Sequence, residues 1–235
     1  MEKLPVFVPI VFSLTTLLAL WLLYQATLRS KAVVLVAAVW LVGQSALALS
    51  GFYLITDSLP PRMLLLILPP LLLITGLFGS SKGRYFVNRL NPAILTLLHV
   101  VRVPVELVLF WLFVRGAVPE LMTFEGRNFD ILTGLSAPVV YYFGYVKGKL
   151  PKYVLVGWNL LCLGLLFNIV IHGILSVPTP FQQFGFEQPN IALLYFPYVA
   201  LPGFIVPVVL FSHLATLRQL LGQQAATGGR VVQGA

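Results

Sequence analysis

The sequence predicts an all-α polytopic membrane protein: a bundle of seven transmembrane helices, amino terminus outside and carboxyl terminus in the cytoplasm. Three observations predict it. Charged residues make up 9% of the 235 and hydrophobic ones 59%, whereas soluble domains average about 25% charged. The apolar residues gather into seven runs, most of them near the ~20 residues that a helix needs to cross a bilayer. The basic residues are sorted by the side of the membrane their loops would face.

So little charge cannot cover a water-facing surface, and a mean hydropathy of +0.94 agrees. The first run is Leu4–Tyr24, too long and too weakly flanked, with only Glu2 and Lys3 before it, for a cleavable signal peptide. The second is Ala32–Ile55. The third, Met63–Phe78, is short and interrupted by Pro69-Pro70. The fourth is Pro92–Phe113, the fifth Ile131–Tyr145 and the sixth Tyr153–Ser176. The seventh, Asn190–Leu217, carries Pro197, Pro202 and Pro207. Together they make one transmembrane domain over 1–221, and the polar, glycine-rich stretch 222–235 reads as a disordered cytoplasmic tail. Spans one to three and five to seven also suggest a parallel repeat around a lone fourth span, since prolines interrupt the third member of each triplet.

Orientation follows from the loops. One side holds Arg29, Lys31, Lys82, Arg84, Arg89, Lys147, Lys149, Lys152, Arg218 and Arg230 without an acidic residue. The other mixes Lys3, Arg62, Arg115 and Arg127 with Glu2, Asp57, Glu120, Glu125, Asp130 and Glu187. The basic side is cytoplasmic by the positive-inside rule, and the expected home is a bacterial cytoplasmic membrane. The net charge of +8 is therefore a topology signal and not a nucleic-acid footprint. The single cysteine, Cys162, excludes an intrachain disulfide and a multi-cysteine metal site. No Walker loop, GxGxxG, HExxH or GxSxG occurs, and span seven has no lysine for a retinal Schiff base.

The fourth span should not carry ions, yet it holds His99, Arg102 and Glu106. At about 100° per residue the three lie within about 60° of one another, on one helix face. Arg102 and Glu106 are spaced to pair along the helix. Pro104, between them, frees the carbonyl of Val100. Counting rise per residue puts Arg102 roughly 15 Å from the cytoplasmic end, Gln44 about 18 Å, Glu106 about 21 Å and Asn168 about 24 Å. Ser136 and Tyr198 fall in the same layer. These groups, with His172 one turn beyond Asn168, predict a central polar pocket reached from the outside. Intramembrane ionisable groups are functional by default, although a neutralised pair that only fixes packing fits the same spacing.

Depth forbids a zinc site made of all three histidines, because His172 lies near the outer end of span six. His99 and His213 can meet, but His213 reads as interfacial, beside the basic loops. No metal and no cofactor is expected. Outside, Gly116–Asp130 mixes charge with aromatics and reads as a folded lid, with Asn128 or Asp130 capping span five. The loop Val177–Pro189 reads as an aromatic anchor.

These features favour a small-solute transporter or ligand-binding membrane protein, proton-coupled through Glu106. The expected partners are the bilayer and a small molecule or lipid. An intramembrane enzyme acting on a lipid, with Glu106 and His172 as acid and base, is the alternative. A structural subunit of a membrane complex, its charged face turned outward, is a third.

Overall fold

The computed structural model describes the backbone of residues 4–231 and the side chains of 4–222. The expected tail 222–235 falls beyond the described side chains from 223 and beyond the described backbone from 232. The chain is all-helical, 72% helix, without a strand among the described residues.

Helix α1 (Phe7–Ala26) and helix α2 (Lys31–Leu49) are joined by a tight turn in which Leu28 and Arg29 take positive φ. Thr15 and Thr16 donate back to the carbonyls of Val11 and Phe12, which hides their hydroxyls within the apolar helix. Helix α3 (Leu64–Gly79) runs through Pro69-Pro70 and turns by 92° into the short amphipathic helix α4 (Ser81–Asn88). Gly83 makes that corner, because a Cβ there would sit 2.2 Å from the Leu77 carbonyl oxygen.

The fourth span is in three pieces. Helix α5 (Pro92–Leu98) starts with proline at its first position, and Asn91 Oδ1 accepts from the amides of Ala93 and Ile94. A 3₁₀ turn, His99–Val101, follows, then helix α6 (Arg102–Val114). Pro104 cannot donate to Val100, and the ladder tightens just there. Helix α7 (Ile131–Val140) continues as a π turn, Tyr141–Val146. Helix α8 (Lys152–Leu175) is the longest uninterrupted apolar helix. The long helix of the run expected as span seven begins later than the sequence suggested. Residues 190–200 stay outside the long helix, with a 3₁₀ turn at Ala192–Leu194, and a π turn at Leu201–Ile205 leads into helix α9 (Val206–Val231). Prolines at 197 and 202 set that delayed start, since neither can donate to a helical ladder.

Among the described residues five helices are long and apolar enough to cross a membrane, and a sixth if α3 and α4 form one bent span. The helical segment Ile131–Val146 is apolar but shorter. The fourth span sits at the centre, against α1, α7 and α9, and α8 packs on α9. The main core joins Phe12, Leu98, Leu109, Leu112, Tyr198 and Phe204 from these elements.

The loops 115–130 and 177–191 are stitched together over one end of this core. Gln188 donates to the carbonyls of Phe113 and Val118 at 2.9 and 2.6 Å, and the amides of Ile191 and Ala192 both donate to Ala117. Backbone placed over an apolar bundle must find such partners.

Candidate functional site

His99, Arg102 and Glu106 face inward, with exposures of 0%, 2% and 2%. Their partners, however, come from other elements. Arg102 Nη1 donates to Asp130 Oδ1 at 2.6 Å and to the Cys162 carbonyl at 3.4 Å. Its Nη2 donates to His213 Nε2 at 3.0 Å. The expected pairing with Glu106 gives way to Asp130. An arginine one turn before a glutamate is the weaker orientation for a helical pair, and long side chains lean toward their own helix's N-terminus.

Glu106 meets the loop before α7 instead. Asn128 Nδ2 donates to Glu106 Oε1 at 2.5 Å and to the Met122 carbonyl at 3.0 Å, and Asn128 Oδ1 accepts from the Asp130 amide at 3.1 Å. So Asn128 does sit at the entry to α7, as expected of a cap. Asp130 does not cap; its carboxylate is spent on Arg102. Asn128 is fully buried and Asp130 nearly so. The loop is a folded plug that inserts two polar residues into the bundle. Gly126 permits its turn, since a Cβ there would lie 2.4 Å from the Glu120 carbonyl oxygen.

His213 is not interfacial. It is wholly buried, and its ring stacks on that of His99 with centroids 3.8 Å apart and planes 18° from parallel. Its Nδ1 donates to Asn159 Oδ1 at 2.9 Å, and Asn159 Nδ2 donates to the Leu155 carbonyl at 2.8 Å. A guanidinium only donates, so Nε2 must accept and Nδ1 must carry the proton. His213 is thus fixed as one neutral tautomer. The edge of Trp158 closes on His99, with centroids 5.6 Å apart. Its indole N–H donates to Ser136 Oγ at 3.0 Å, and Ser136 donates to the Leu132 carbonyl.

The cluster thus contains one guanidinium and two carboxylates, with two stacked imidazoles beside it. Glu106 Oε2, Arg102 Nε and both nitrogens of His99 are buried without a hydrogen-bond partner among the described residues. Two carboxylates face a single fixed cation, and that cation is engaged by Asp130, so Glu106 is held by the Asn128 amide without a cation of its own. Among the described residues no group of three His, Cys, Asp or Glu side chains is placed to hold a metal ion.

The family described as "Domain of unknown function (DUF8737)" matches residues 59–221, well over half of the chain. The chain belongs to this family. No curated protein and no solved structure matches it. The matched stretch of this DUF8737 member carries every polar residue of the central cluster, from His99 to His213, and leaves out α1 and α2.

The other residues expected in the polar layer lie apart from the cluster or at its margin. Gln44 is buried on α2, where its side-chain oxygen accepts a hydrogen bond from the hydroxyl of Tyr53, in a satellite core with Ala48 and Leu66. Tyr198 is buried against the ring of Phe12, 5.1 Å between centroids, and its hydroxyl has no partner among the described residues. Asn168 donates to the Arg127 carbonyl at 2.8 Å and ties α8 to the plug loop. His172 Nδ1 bonds its own helix at the Asn168 carbonyl, and its ring lies 5.1 Å from that of Phe184. Equal depth does not make side chains converge, because depth says nothing of the azimuth at which each helix presents them. Ser136 alone reaches the cluster, through Trp158. Sequence reasoning saw Asn128 and Asp130 only as caps and did not single out Asn159 or Trp158. An asparagine inside an apolar span was the available signal for Asn159.

Proposed function

We propose that this is a seven-span membrane protein of a bacterial cytoplasmic membrane, amino terminus outside, that moves a small solute in exchange for or together with a proton carried by Glu106. The topology rests on the loop charges, with α3 and Ile131–Val146 counted as short spans three and five. The observation that carries the functional reading is the hydrogen bond from Asn128 to Glu106. It joins an ionisable group in the middle of a span to a loop on the expected outer side. Asn128 and Asp130 leave one carboxylate oxygen of Glu106 unpartnered, beside a cluster with one cation for two acids.

In this reading, protonation of Glu106 weakens its grip on Asn128. The plug 117–130 then releases, and Asp130 leaves Arg102 free to take an anionic or polar group. Deprotonation draws the plug back. Motions of this kind couple a site to a loop through a differential interaction with the two states.

Proteoliposomes enclosing a pH-sensitive dye test the proposal. A panel of sugars, amino acids and organic acids is added outside. A solute that drives proton movement in the wild type, and ceases to do so in Glu106→Gln while its uptake becomes independent of pH, supports the coupling. Unchanged pH dependence in that variant removes Glu106 from the role. Proton movement with no solute in the panel argues against transport.

A further inference from the structure

The buried hydroxyls of this protein are of two kinds. Thr15, Thr16, Thr27 and Ser212 each donate to the carbonyl four positions earlier, at 2.8 to 3.0 Å, which hides a hydroxyl in apolar surroundings. Thr96 and Thr216 do not, although both are buried and both lie inside helices, α5 and α9. The carbonyls of Pro92 and Ser212 stand one turn back, yet neither hydroxyl has a partner among the described residues. Thr133 is also unpartnered, but it lies beside the Cys162 thiol.

The two threonines flank the same path. Helices α5 and α9 run antiparallel. His99, just past the end of α5, stacks on His213. Toward the other end of α5, Arg218 Nε donates to Asn88 Oδ1 at 3.1 Å and Gln219 Nε2 to the Leu90 carbonyl at 3.0 Å. Thr96 lies three positions before His99, and Thr216 three positions after His213. Both therefore sit about one turn from the ring pair in the same direction, toward Asn88 and Arg218. Tyr145 joins them from the π turn after α7. Its hydroxyl is buried and without a hydrogen bond, and it approaches Thr96. Its ring is half-buried beside Leu220, and Lys147 and Lys149, just beyond, are exposed.

Five polar atoms thus mark one stretch between His99 and Tyr145: two imidazole nitrogens and three hydroxyls, all buried and unpartnered among the described residues. Protein groups of this kind are bridged by internal water, each molecule taking about three hydrogen bonds. The backbone beside the stretch is irregular at two places, the 3₁₀ turn His99–Val101 and the π turn Tyr141–Val146. At membrane depth such backbone is tolerated where protein buries it or where it lines a wet cavity. On the far side of the ring pair stands Arg102, which donates to His213 and pairs with Asp130.

We propose that Thr96, Thr216, Tyr145 and His99 hold a short file of water that enters beside Tyr145 and ends at the stacked imidazoles. It gives the central cluster a hydrated approach from the end of α7 opposite to Asp130. As the second entrance of a transporter the file rests on the reading above; as a hydrated path it does not.

Silver ion, a thiol reagent close to water in size, tests the path. In a Cys162→Ala chain, single cysteines replace Thr96 or Thr216, and in control chains Leu95 or Ala215, their fully buried neighbours. Each variant is exposed to silver nitrate in chloride-free detergent buffer, and the thiols left are counted after denaturation. Thr96→Cys and Thr216→Cys are expected to react about tenfold faster or more than Leu95→Cys and Ala215→Cys, because a thiol in a dry core reacts only through local opening. Adding Tyr145→Trp, which fills the mouth, is expected to remove most of that advantage. Equal rates at all four positions overturn the proposal. An advantage untouched by Tyr145→Trp overturns the entrance. Where a cysteine variant fails to fold, water-edited solid-state NMR on the unsubstituted chain decides. Magnetisation from water is expected to reach the His99 ring before the methyls of Leu98 and Val101, which are equally buried; simultaneous arrival overturns the file. Neither readout involves a solute, so the path can fail while proton-coupled transport stands, and the reverse.

Discussion

Arg102 Nη1 and Asp130 Oδ1 lie 2.6 Å apart across the bundle, one on the central helix α6 and the other at the end of the loop before α7, 28 positions on. Both are buried, and this is the only ion pair among the described residues. Removing one partner of a buried pair strands the other, which costs about 3–5 kcal/mol. Asp130→Ala is therefore expected to lower unfolding stability in detergent by that order. Replacing both partners with residues of similar volume, Arg102→Met with Asp130→Leu, should restore most of it. A double-mutant cycle on the denaturation midpoint measures the coupling; additive losses would mean that the pair does not act as a pair.

Asn128 makes three hydrogen bonds, to Glu106, Met122 and Asp130, and so joins the plug loop to the central span. Deleting its amide removes about 1 kcal/mol for an ordinary bond and more for one to a carboxylate. Asn128→Ala should leave the long helices folded while the loop opens more readily. Hydrogen–deuterium exchange on the amides of 120–130 reads this directly. Exchange is expected to rise there by about tenfold or more, the factor that ~1.4 kcal/mol gives, and to stay unchanged in α8. Uniform acceleration across the protein would show a global role instead.

Much of this architecture was legible in the sequence. The apolar runs Leu4–Tyr24, Pro92–Phe113 and Tyr153–Ser176 gave their helices almost to the ends, because a bilayer-scale helix needs only length and hydropathy, whereas Ala32–Ile55 overshot α2, which stops at Leu49 before the left-handed Gly51. The inward face of His99, Arg102 and Glu106 followed from helical periodicity. The partner of Arg102 did not follow. Periodicity fixes what shares a face within a helix and is silent on which element comes opposite. Asp130 looked like a loop residue because the loop that carries it folds into the bundle. His213 looked interfacial because the seventh apolar run closes at Leu217, only four positions on, whereas the helix itself continues to Val231.

The tautomer of His213 is open to direct measurement. Arg102 Nη2 and Asn159 Oδ1 hold its two ring nitrogens in opposite roles, one accepting and one donating. With three histidines in the chain, ¹⁵N-labelled histidine and the variant His213→Gln suffice to assign its signals. The expected result is an Nδ1-protonated neutral ring for His213. Asn159→Leu removes the acceptor and is expected to abolish that preference. An Nε2-protonated ring in the wild type would mean that Arg102 points elsewhere.

Gly134 decides how closely α7 can approach the central span. A Cβ built there would lie 2.7 Å from Val103 Cγ2 and 2.9 Å from the Val103 backbone nitrogen. The side-chain methyl can turn aside; the backbone cannot. Small residues at such crossings are how membrane helices reach close packing without a hydrophobic drive between them. Gly134→Ala must therefore push α7 outward, and with it Asp130, four positions earlier at the head of the same helix. Overpacking of this kind costs about 1–3 kcal/mol. Gly164→Ala on α8 supplies the contrast, because nothing lies within 4 Å of its Cβ. In the middle of a helix that change is expected to be neutral or to stabilise by about 0.5–1 kcal/mol. Thermal unfolding in detergent should thus move in opposite directions for the two variants. The loss at Gly134 should also shrink when Asp130 is already alanine, since the displaced helix then has no ion pair left to strain. A loss of the same size in both backgrounds would separate the close helix crossing from the Arg102–Asp130 contact and leave each to act alone.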